Sequence, residues 1–364
     1  MQKEEVVKLF LEKKKLLAPE ALKFLENREN LDEFLARNYN NLVLTEKDLL
    51  AEESIKIIKN LTQKPKEIKT EDFIKFYTSK YEKMKNIITS RLQKNFISLN
   101  KLDSFRNEVH VIGIVKEIKE KNGKKVVELE DLTKTVPIIF DEVGDLDMDD
   151  VVAVKAVSAG KILFGKKIIY PDIPLRSSAT GSGKACFISD LHLDESPMAD
   201  AEKFFYWFEK QEIPYLFVAG DIGDSNKFEE ILNQHCYEKT VFVIPGNIDS
   251  NEYPQLPLSF QGKNITSLSN PSMIEINGIK ILLIHNADIT MLRKRYLGKS
   301  KQILPEDYLV LEEVPDIVHH GHTHEPLITN YKSITLVNSG SILTEFKPAV
   351  IDFSTREAIQ VTAL

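Results

Sequence analysis

Five apolar runs in the second half of the chain each end in side chains of the types that bind metal ions. In chain order these side chains are Asp190 and His192, Asp221, Asn247, His285, and His322 and His324. Because α/β folds gather their binding residues at the carboxyl ends of strands, we expect all seven side chains to lie close together. Carboxylate, imidazole and amide groups can hold two cations about 3.5–4 Å apart, the arrangement that serves phosphoryl displacement.

These side chains divide into two ligand sets. We predict that Asp190, His192 and His324 bind a first metal ion, that Asn247, His285 and His322 bind a second, and that Asp221 bridges the two. His322 and His324 are two residues apart in an extended segment, so they point in similar directions and can reach adjacent ions. One histidine at a strand end is usually a core or loop residue, but five such strand ends in order indicate a metallophosphoesterase fold.

The elements that position these ligands alternate between strand and helix. Short apolar runs such as YLFVA and VFVIP predict buried strands, and apolar residues at 204–211 have helical spacing. We therefore predict an α/β sandwich domain at 185–364. We reject a phosphate-binding loop for the GSGK segment at 181–184, since Ala185 replaces the required Ser or Thr and the segment precedes a strand.

Residues 107–175 form a second predicted domain, which is rich in short strands. Five strand-like runs lie between residues 109 and 170, and Asn122-Gly123 predicts a hairpin turn between the first two. Five short strands in so short a segment predict an OB-fold β-barrel. We favour protein docking over DNA binding for this barrel, because it offers few aromatic residues for base stacking and has an acidic turn at 141–150.

The first part of the chain has a helical pattern. We predict a helical N-terminal domain at 1–60, and at 61–106 a polar linker followed by a helix with the apolar residues Phe73, Ile74 and Tyr77 on one stripe. The predicted fold class is therefore α+β and multidomain. A helical N-terminal region and an OB-fold β-barrel precede an α/β phosphoesterase sandwich.

The net charge of −7 is unevenly distributed along the chain. Residues 1–100 carry 20 Lys and Arg against 16 Asp and Glu, whereas residues 181–364 carry 15 against 25. Because affinity for DNA phosphates comes largely from Lys and Arg, we expect the acidic half to depend on a partner for binding DNA, or to use its acids to hold cations. No apolar run is long enough to cross a membrane, so we expect a cytoplasmic protein without membrane contact.

The ordered set of metal-binding residues resembles the calcineurin-like metallophosphoesterases over residues 185–340. Three further segments resemble the small subunits of archaeal family D DNA polymerases: MLRKRYLG at 291–298, LPEDYLVLEEVPDIVHHGHTH at 304–324 and ITLVNSGSILTEF at 334–346. The resemblance extends over nearly the whole chain, because that family also has an OB-fold ahead of a calcineurin-like phosphoesterase sandwich.

The resemblance implies a function and its partners. It implies a proofreading 3′→5′ exonuclease that acts on DNA 3′ ends with two divalent metal ions, manganese in the first place and magnesium as the alternative. It also implies a heterodimer with a large catalytic polymerase subunit, and indirect association with a sliding clamp. Asp224 and Asp249 are expected to orient the site without binding metal.

One residue departs from the family pattern. That pattern is Gly-Asn-His-Asp, and this chain has Gly246-Asn247-Ile248-Asp249. The missing histidine lies near the substrate phosphate in this superfamily, where general acid help is worth about 10²–10⁴-fold in rate. Three alternatives stay open: a site that cleaves slowly, a substitute such as His320, or a relic that only stabilises the domain.

Two rival functions remain besides the exonuclease. The first is a structural subunit that holds the polymerase subunit, with weak catalysis or none, and the substitution at Ile248 favours it. The second is a stand-alone phosphodiesterase that acts on small nucleotides or RNA. The helical region and the barrel argue against the second alternative, because such an enzyme does not need them.

Overall fold

The computed structural model describes residues 3–26, 31, 34–35, 42–46, 49, 55–64, 68–102, 107–159, 162–300 and 302–362. Within these residues the chain forms two compact units. The first unit draws on segments 1–62, 177–286 and 315–364, and the second on 63–176 and 287–314. The predicted domain at 185–364 is therefore interrupted, because residues 287–314 belong to the unit that contains the barrel.

Among the described residues, strands outnumber helices. The helices are α1 Lys3–Glu12, α2 Pro19–Glu26, α3 Thr70–Leu92, α4 Met198–Glu209, α5 Ser225–His235 and α6 Ile289–Lys294. The strands are β1 Leu16–Leu17, β2 Val43–Leu44, β3 Ile55–Lys59, β4 Glu108–Lys121, β5 Lys124–Glu130, β6 Thr135–Phe140, β7 Val151–Ala159, β8 Ile162–Ile169, β9 Lys184–Ile188, β10 Tyr215–Ala219, β11 Thr240–Ile244, β12 Ile265–Ser267, β13 Ser272–Ile276, β14 Ile279–Leu283, β15 Ile317–His319, β16 Pro326–Tyr331, β17 Ile334–Ser339, β18 Ala349–Asp352 and β19 Ala358–Gln360.

Two six-stranded sheets make up most of the first unit. One has the order β12-β11-β10-β9-β18-β19, and the other has the order β16-β17-β15-β14-β13-β3. In the first sheet, β9 to β12 are parallel, and the apolar sequences of β9, β10 and β11 fit strands buried on both faces. The predicted α/β sandwich is confirmed as the architecture of this unit.

Two apolar cores stabilise the sandwich. Phe187, Phe217 and Phe242 stack across β9, β10 and β11 with ring centroids 5.0 and 5.1 Å apart, in the core between the sheets. The opposite face of the first sheet is covered by α4 and α5, whose buried side chains include Phe204 and Phe228. Burial of side chains this large contributes about 1.5–3 kcal/mol each. These parallel strands therefore hold the residues that follow their carboxyl ends in fixed positions.

Part of the N-terminal region that is predicted to be helical forms a strand instead. Helices α1 and α2 form, but β3 pairs antiparallel with β13 as an edge strand of the second sheet. Its sequence, IKIIK, is rich in β-branched residues, which favour strands, and the partner strand lies more than two hundred residues later in the chain. The rest of the predicted helical domain, at 27–30, 32–33, 36–41, 47–48 and 50–54, lies outside the described residues.

The second unit contains the predicted barrel, which is confirmed. Its closed order is β4-β5-β6-β8-β7, and β4 pairs with both β5 and β7. Asn122 and Gly123 have φ values of 55° and 70°, as a tight hairpin between β4 and β5 requires. Helix α3 and residues from segment 287–314 pack on the outside of this barrel against Ile112 and Val151. Among the described residues, no helix is both long enough and apolar enough to span a membrane.

Candidate metal centre

The seven predicted ligands come from the carboxyl ends of strands in both sheets. Strands β9, β10 and β11 lie side by side in the first sheet and lead into Asp190 and His192, Asp221, and Asn247. Strands β14 and β15 are neighbours in the second sheet and lead into His285, and into His322 and His324. Parallel neighbours end at the same sheet edge, and this brings the predicted side chains together.

Four of these side chains form one compact group. Asp190, His192, Asp221 and His324 each offer a donor atom, and these atoms all lie within 4.8 Å of one another. The Nε2 atoms of His192 and His324 are 3.1 Å apart, and Nε2 of His324 is 3.4 Å from Oδ1 of Asp190. Converging nitrogen and carboxylate donors of this kind fit a divalent cation in the space between them.

The other three side chains meet around the amide of Asn247. Oδ1 of Asn247 lies 2.9 Å from Nε2 of His285 and 2.8 Å from Nδ1 of His322. Nε2 of His285 is also 3.3 Å from Oδ2 of Asp221. Asp221 therefore contacts both groups, as a bridging carboxylate must.

The backbone around the ligands is unusual. Five of them have a left-handed conformation, with φ of 55° at Asp190, 47° at His192, 51° at Asp221, 71° at His322 and 57° at His324. Residues other than glycine seldom adopt it, and where they do, the cost of about 1–3 kcal/mol is carried by the surrounding structure, most often at functional sites. The local sequence gives no signal for this conformation.

Glycines beside the ligands leave room for the carboxylates. A Cβ atom on Gly246 would lie 2.2 Å from Oδ1 of Asp221, and one on Gly321 would lie 2.3 Å from Oδ2 of Asp190. These contacts are far closer than van der Waals distance. The glycine that precedes Asp221, Asn247 and His322 in each motif is the sequence signal of this close packing.

The three residues predicted to assist the ligands lie outside the ligand group. The carboxylate of Asp249 accepts the backbone N–H groups of Gly223 and Gly246 at 3.1 and 2.8 Å, so it holds two ligand loops together. Asp224 is the N-cap of α5 and accepts two backbone N–H groups there. His320 is 5% exposed, and its Nδ1 atom is buried without a hydrogen-bond partner.

Further residues fix the ligands, although the sequence did not identify them. The carbonyl of Ala219 lies 2.7 Å from Nδ1 of His285 and sets the orientation of that ring. The amide of Asn338 donates to the carbonyl of Gly321 at 3.0 Å, and the hydroxyl of Ser341 donates to the carbonyl of Asp190 at 2.9 Å. The sequence signal for Asn338 and Ser341 is their place in the segment ITLVNSGSILTEF, whereas Ala219 is the last residue of β10.

The surroundings shift the pKa values of the two buried carboxylates in opposite directions. Burial raises the pKa of Asp190. Burial also acts to raise the pKa of Asp221, but its hydrogen bond and charge interaction with His285 outweigh burial and lower it. For His285, burial acts to lower the pKa, and the contact with Asp221 outweighs that and raises it. Two acids with this little water around them favour a bound cation as counter-charge.

The part of the chain that carries the site is similar to known phosphoesterases. Residues 184–355 match the family profile of the calcineurin-like phosphoesterase superfamily domain. Among solved structures, one described as a novel archaeal phosphodiesterase is similar at 16% identity with a TM-score of 0.36, covering 50% of this chain and 99% of its own.

The likeness of the chain as a whole is to a polymerase subunit. It is 27% identical over 375 residues to the DNA polymerase II small subunit of Archaeoglobus fulgidus, covering 82% of this chain and 76% of that protein. It is 28% identical over 356 residues to the subunit of the same name from Methanothermobacter thermautotrophicus, covering 76% and 74%. The resemblance predicted from the sequence, to archaeal polymerase small subunits with a calcineurin-like domain, is confirmed.

Proposed function

We propose that this chain is the small subunit of a DNA polymerase and that its sandwich unit is a proofreading exonuclease, which hydrolyses phosphodiesters at DNA 3′ ends. One observation carries the proposal. The seven side chains Asp190, His192, Asp221, Asn247, His285, His322 and His324 meet at one edge of a calcineurin-like domain. The polymerase setting comes from the relatives, which are named DNA polymerase II small subunits.

The residues of the site have separate roles in this proposal. When bound, two divalent cations, Mn²⁺ or alternatively Mg²⁺, would activate water and neutralise charge on the phosphate. Asp190, His192 and His324 would hold one cation, and Asn247, His285 and His322 the other, with Asp221 shared. Asp249 keeps the two loops that carry Asp221 and Asn247 at a fixed separation, through its hydrogen bonds to Gly223 and Gly246.

Ile248 sets an upper limit on the proposed rate. Its backbone N–H donates to Oδ1 of Asp221 at 3.0 Å, and the residue is 43% exposed. An aliphatic side chain can neither protonate a leaving oxygen nor stabilise its charge. His320 has no role in the proposed mechanism, because its ring is buried and would have to move to reach a substrate.

The proposed partner is a large catalytic polymerase subunit, with which the chain forms a heterodimer. An excess of acidic residues over 181–364 supports a division of labour in which the partner supplies most of the DNA binding. Contact with the sliding clamp would then be indirect, and the cytoplasmic location follows from the same role.

The test is a nuclease assay on the purified chain and on its complex with the large subunit. A 5′-labelled oligonucleotide with a mismatched 3′ end is expected to lose nucleotides one at a time when Mn²⁺ is added. Asp221→Ala should abolish this loss, and Asp200→Asn, an exposed carboxylate on α4, should leave it unchanged. If wild-type protein with measured bound metal releases no nucleotide in either form, the exonuclease proposal is wrong.

A second candidate function is a structural subunit with little or no catalysis, which Ile248 favours. The variant Ile248→His separates the two. A gain of about 10²–10⁴-fold in nuclease rate would mean that the ligand set is competent and that this one position limits it. An inactive Ile248→His variant that still binds metal and the large subunit would favour the structural role.

A further inference from the structure

We propose that the side chains of Gln255 and Asn270 position two of the proposed metal ligands, one from each sheet of the sandwich. These two ligands are Asn247, which follows β11, and His285, which follows β14. Gln255 lies between β11 and β12, Asn270 lies between β12 and β13, and both residues are 3% exposed. The inference deepens the proposed function and rests on it only in so far as the site binds cations.

The amide of Gln255 holds the turn that carries Asn247. Its Nε2 atom donates to the carbonyl of Gly246 at 2.7 Å and to the carbonyl of Ser250 at 2.6 Å. These two carbonyls lie on either side of residues 247–249, and the carbonyl of Gly246 belongs to the peptide bond that precedes Asn247. One side chain therefore fixes both ends of the turn from which this ligand projects.

The amide of Asn270 continues the connection to His285. Its Nδ2 atom donates to Oε1 of Gln255 at 2.5 Å, and its Oδ1 atom accepts the backbone N–H of His285 at 3.1 Å. Backbone hydrogen bonds of 2.8 and 3.1 Å between Gln255 and Asn270 hold the two amides side by side. One series of hydrogen bonds therefore joins the backbone at Asn247, in a loop of the first sheet, to the backbone at His285, in a loop of the second.

The backbone groups at the two ends of this series determine how both amides are oriented. A backbone carbonyl can only accept a hydrogen bond, and a backbone N–H can only donate one. The NH₂ group of Gln255 must therefore face Gly246 and Ser250, and the oxygen of Asn270 must face His285. The oxygen of Gln255 is then left opposite the NH₂ group of Asn270, which is the pairing that the structure has. An apolar side chain of similar size at either position would interrupt the series.

The consequence of this connection is at the ligand atoms. Oδ1 of Asn247 and Nε2 of His285 are 2.9 Å apart, although the two residues follow strands of different sheets. Their separation depends on how the two loops are held relative to each other, and Gln255 and Asn270 link the loops directly. Residues that orient metal ligands in this way typically contribute about 10–100-fold to metal affinity. We therefore expect the connection to matter for the cation bound by Asn247, His285 and His322.

The test is a calorimetric titration of the metal-free chain with MnCl₂. Gln255→Met keeps the size of the side chain, adds no charge and removes its hydrogen bonds. It should raise the dissociation constant of one bound Mn²⁺ by about 10–100-fold and leave the other unchanged. Asn270→Leu interrupts the same series and should give the same result, so the test does not depend on the folding of one variant. In an Asn247→Ala background, Gln255→Met should cause no further loss of Mn²⁺ affinity, because the ligand that it positions is already absent.

Asn264→Leu is the matched control. Nδ2 of Asn264 also donates to two backbone carbonyls, those of Cys236 and Lys239 at 2.8 and 3.2 Å, but it does so at the start of β11, the end remote from the ligands. All three variants should unfold at lower denaturant concentration than wild type, since each leaves carbonyls without their donors. Only Gln255→Met and Asn270→Leu should lose Mn²⁺ affinity.

Two results would overturn the inference. One is wild-type Mn²⁺ affinity in both Gln255→Met and Asn270→Leu, and the other is an equal loss of affinity in Asn264→Leu, which would indicate a general effect of lower stability. These measurements need neither DNA nor turnover. A wild-type chain that binds metal but cleaves no DNA would therefore contradict the proposed function alone, and the positioning of Asn247 and His285 would still be decided by the Mn²⁺ affinities.

Discussion

At the scale of single residues, the proposed metal centre depends on how closely the backbone approaches its carboxylates. Gly246 and Gly321 sit against Asp221 and Asp190 with no space for a methyl group. A larger residue at either position would push the carboxylate oxygen out of the place from which it could bind a cation. The proposed ligands therefore depend on these glycines, and a glycine-to-alanine substitution, which adds one carbon atom, tests each of them.

Gly246→Ala is expected to lose metal binding at both positions. The new Cβ would lie 2.2 Å from Oδ1 of the shared Asp221, and overpacking of this kind also costs about 1–3 kcal/mol of stability. Calorimetric Mn²⁺ titration and chemical denaturation measure the two effects. Gly262→Ala is the control, because its Cβ would meet the flexible end of Ile265 at 2.9 Å. Normal metal binding by Gly246→Ala would contradict this account of the site.

A second prediction at the residue scale concerns Asp131 in the barrel unit. Burial acts to raise its pKa, but hydrogen bonds from Thr133, Leu99 and Lys134 outweigh burial and lower it. A carboxylate whose pKa is lower in the folded state adds stability above its unfolded pKa, which is about 3.9 for Asp. That stability is lost as the pH falls from there through the folded pKa.

Asp131→Asn should therefore be less stable than wild type at pH 7, and the gap between them should narrow as the pH falls below about 4. Thermal unfolding of both proteins between pH 3 and pH 7 measures this. The exposed Asp141→Asn variant is the matched control, for which the gap should stay small throughout. A gap for Asp131→Asn that is constant with pH would show that its charge is not what stabilises the turn.

At the scale of elements, segment 287–314 shows how a stretch of chain can join a distant unit. Lys294 pairs with Asp150 of the barrel at 2.7 Å, and the two side chains are only 15% and 12% exposed. Lys299 pairs with Asp147 at 2.8 Å, but those side chains are 62% and 57% exposed. The two ion pairs have nearly equal lengths, but the first is more buried, and Lys294 also donates to the carbonyl of Asp145 at 2.9 Å.

Lys294→Met is expected to destabilise the barrel unit by about 3 kcal/mol, because it leaves Asp150 without its partner in a largely buried position. Lys299→Met should cost less than about 1 kcal/mol, since exposed ion pairs contribute little. Urea denaturation followed through the barrel transition measures both. Equal effects of the two substitutions would mean that burial of the first pair does not matter.

Elements that follow from local pattern were predictable from the sequence, and elements that depend on distant contacts were not. The barrel strands and the strands before Asp190, Asp221 and Asn247 have the apolar spacing of their type, and the ligands follow directly. Strand β3 needs β13 as its partner, and segment 287–314 needs the barrel. No local spacing records such partners, nor the left-handed backbone at His192 or His322, which the packed loops impose.

At the scale of the whole molecule, metal binding is expected to stabilise one unit and not the other. All seven proposed ligands belong to the sandwich unit, and none of them lies in 63–176 or 287–314. A ligand present at about 100 times its dissociation constant stabilises a folded unit by about 2.7 kcal/mol.

Hydrogen exchange with and without Mn²⁺ tests this difference between the units. Exchange should slow in peptides that contain Asp190, Asp221 and Asn247, and stay unchanged in peptides from β4 to β8. The Asp221→Ala variant should show no slowing in either unit. Slower exchange throughout the barrel as well would mean that metal binding is coupled to the second unit.

The proposed ligands come from both sheets of the sandwich. Asp190, Asp221 and Asn247 follow strands of the first sheet, whereas His285 and His322 follow strands of the second. Bound cations would therefore tie the two layers to each other as a covalent crosslink does. The two sheets could not slide or separate without first breaking coordination bonds. Bound metal would therefore lower the rate of unfolding as well as raise the free energy of unfolding. For such a chain, resistance to unfolding over time would be set by its metal supply as much as by its core.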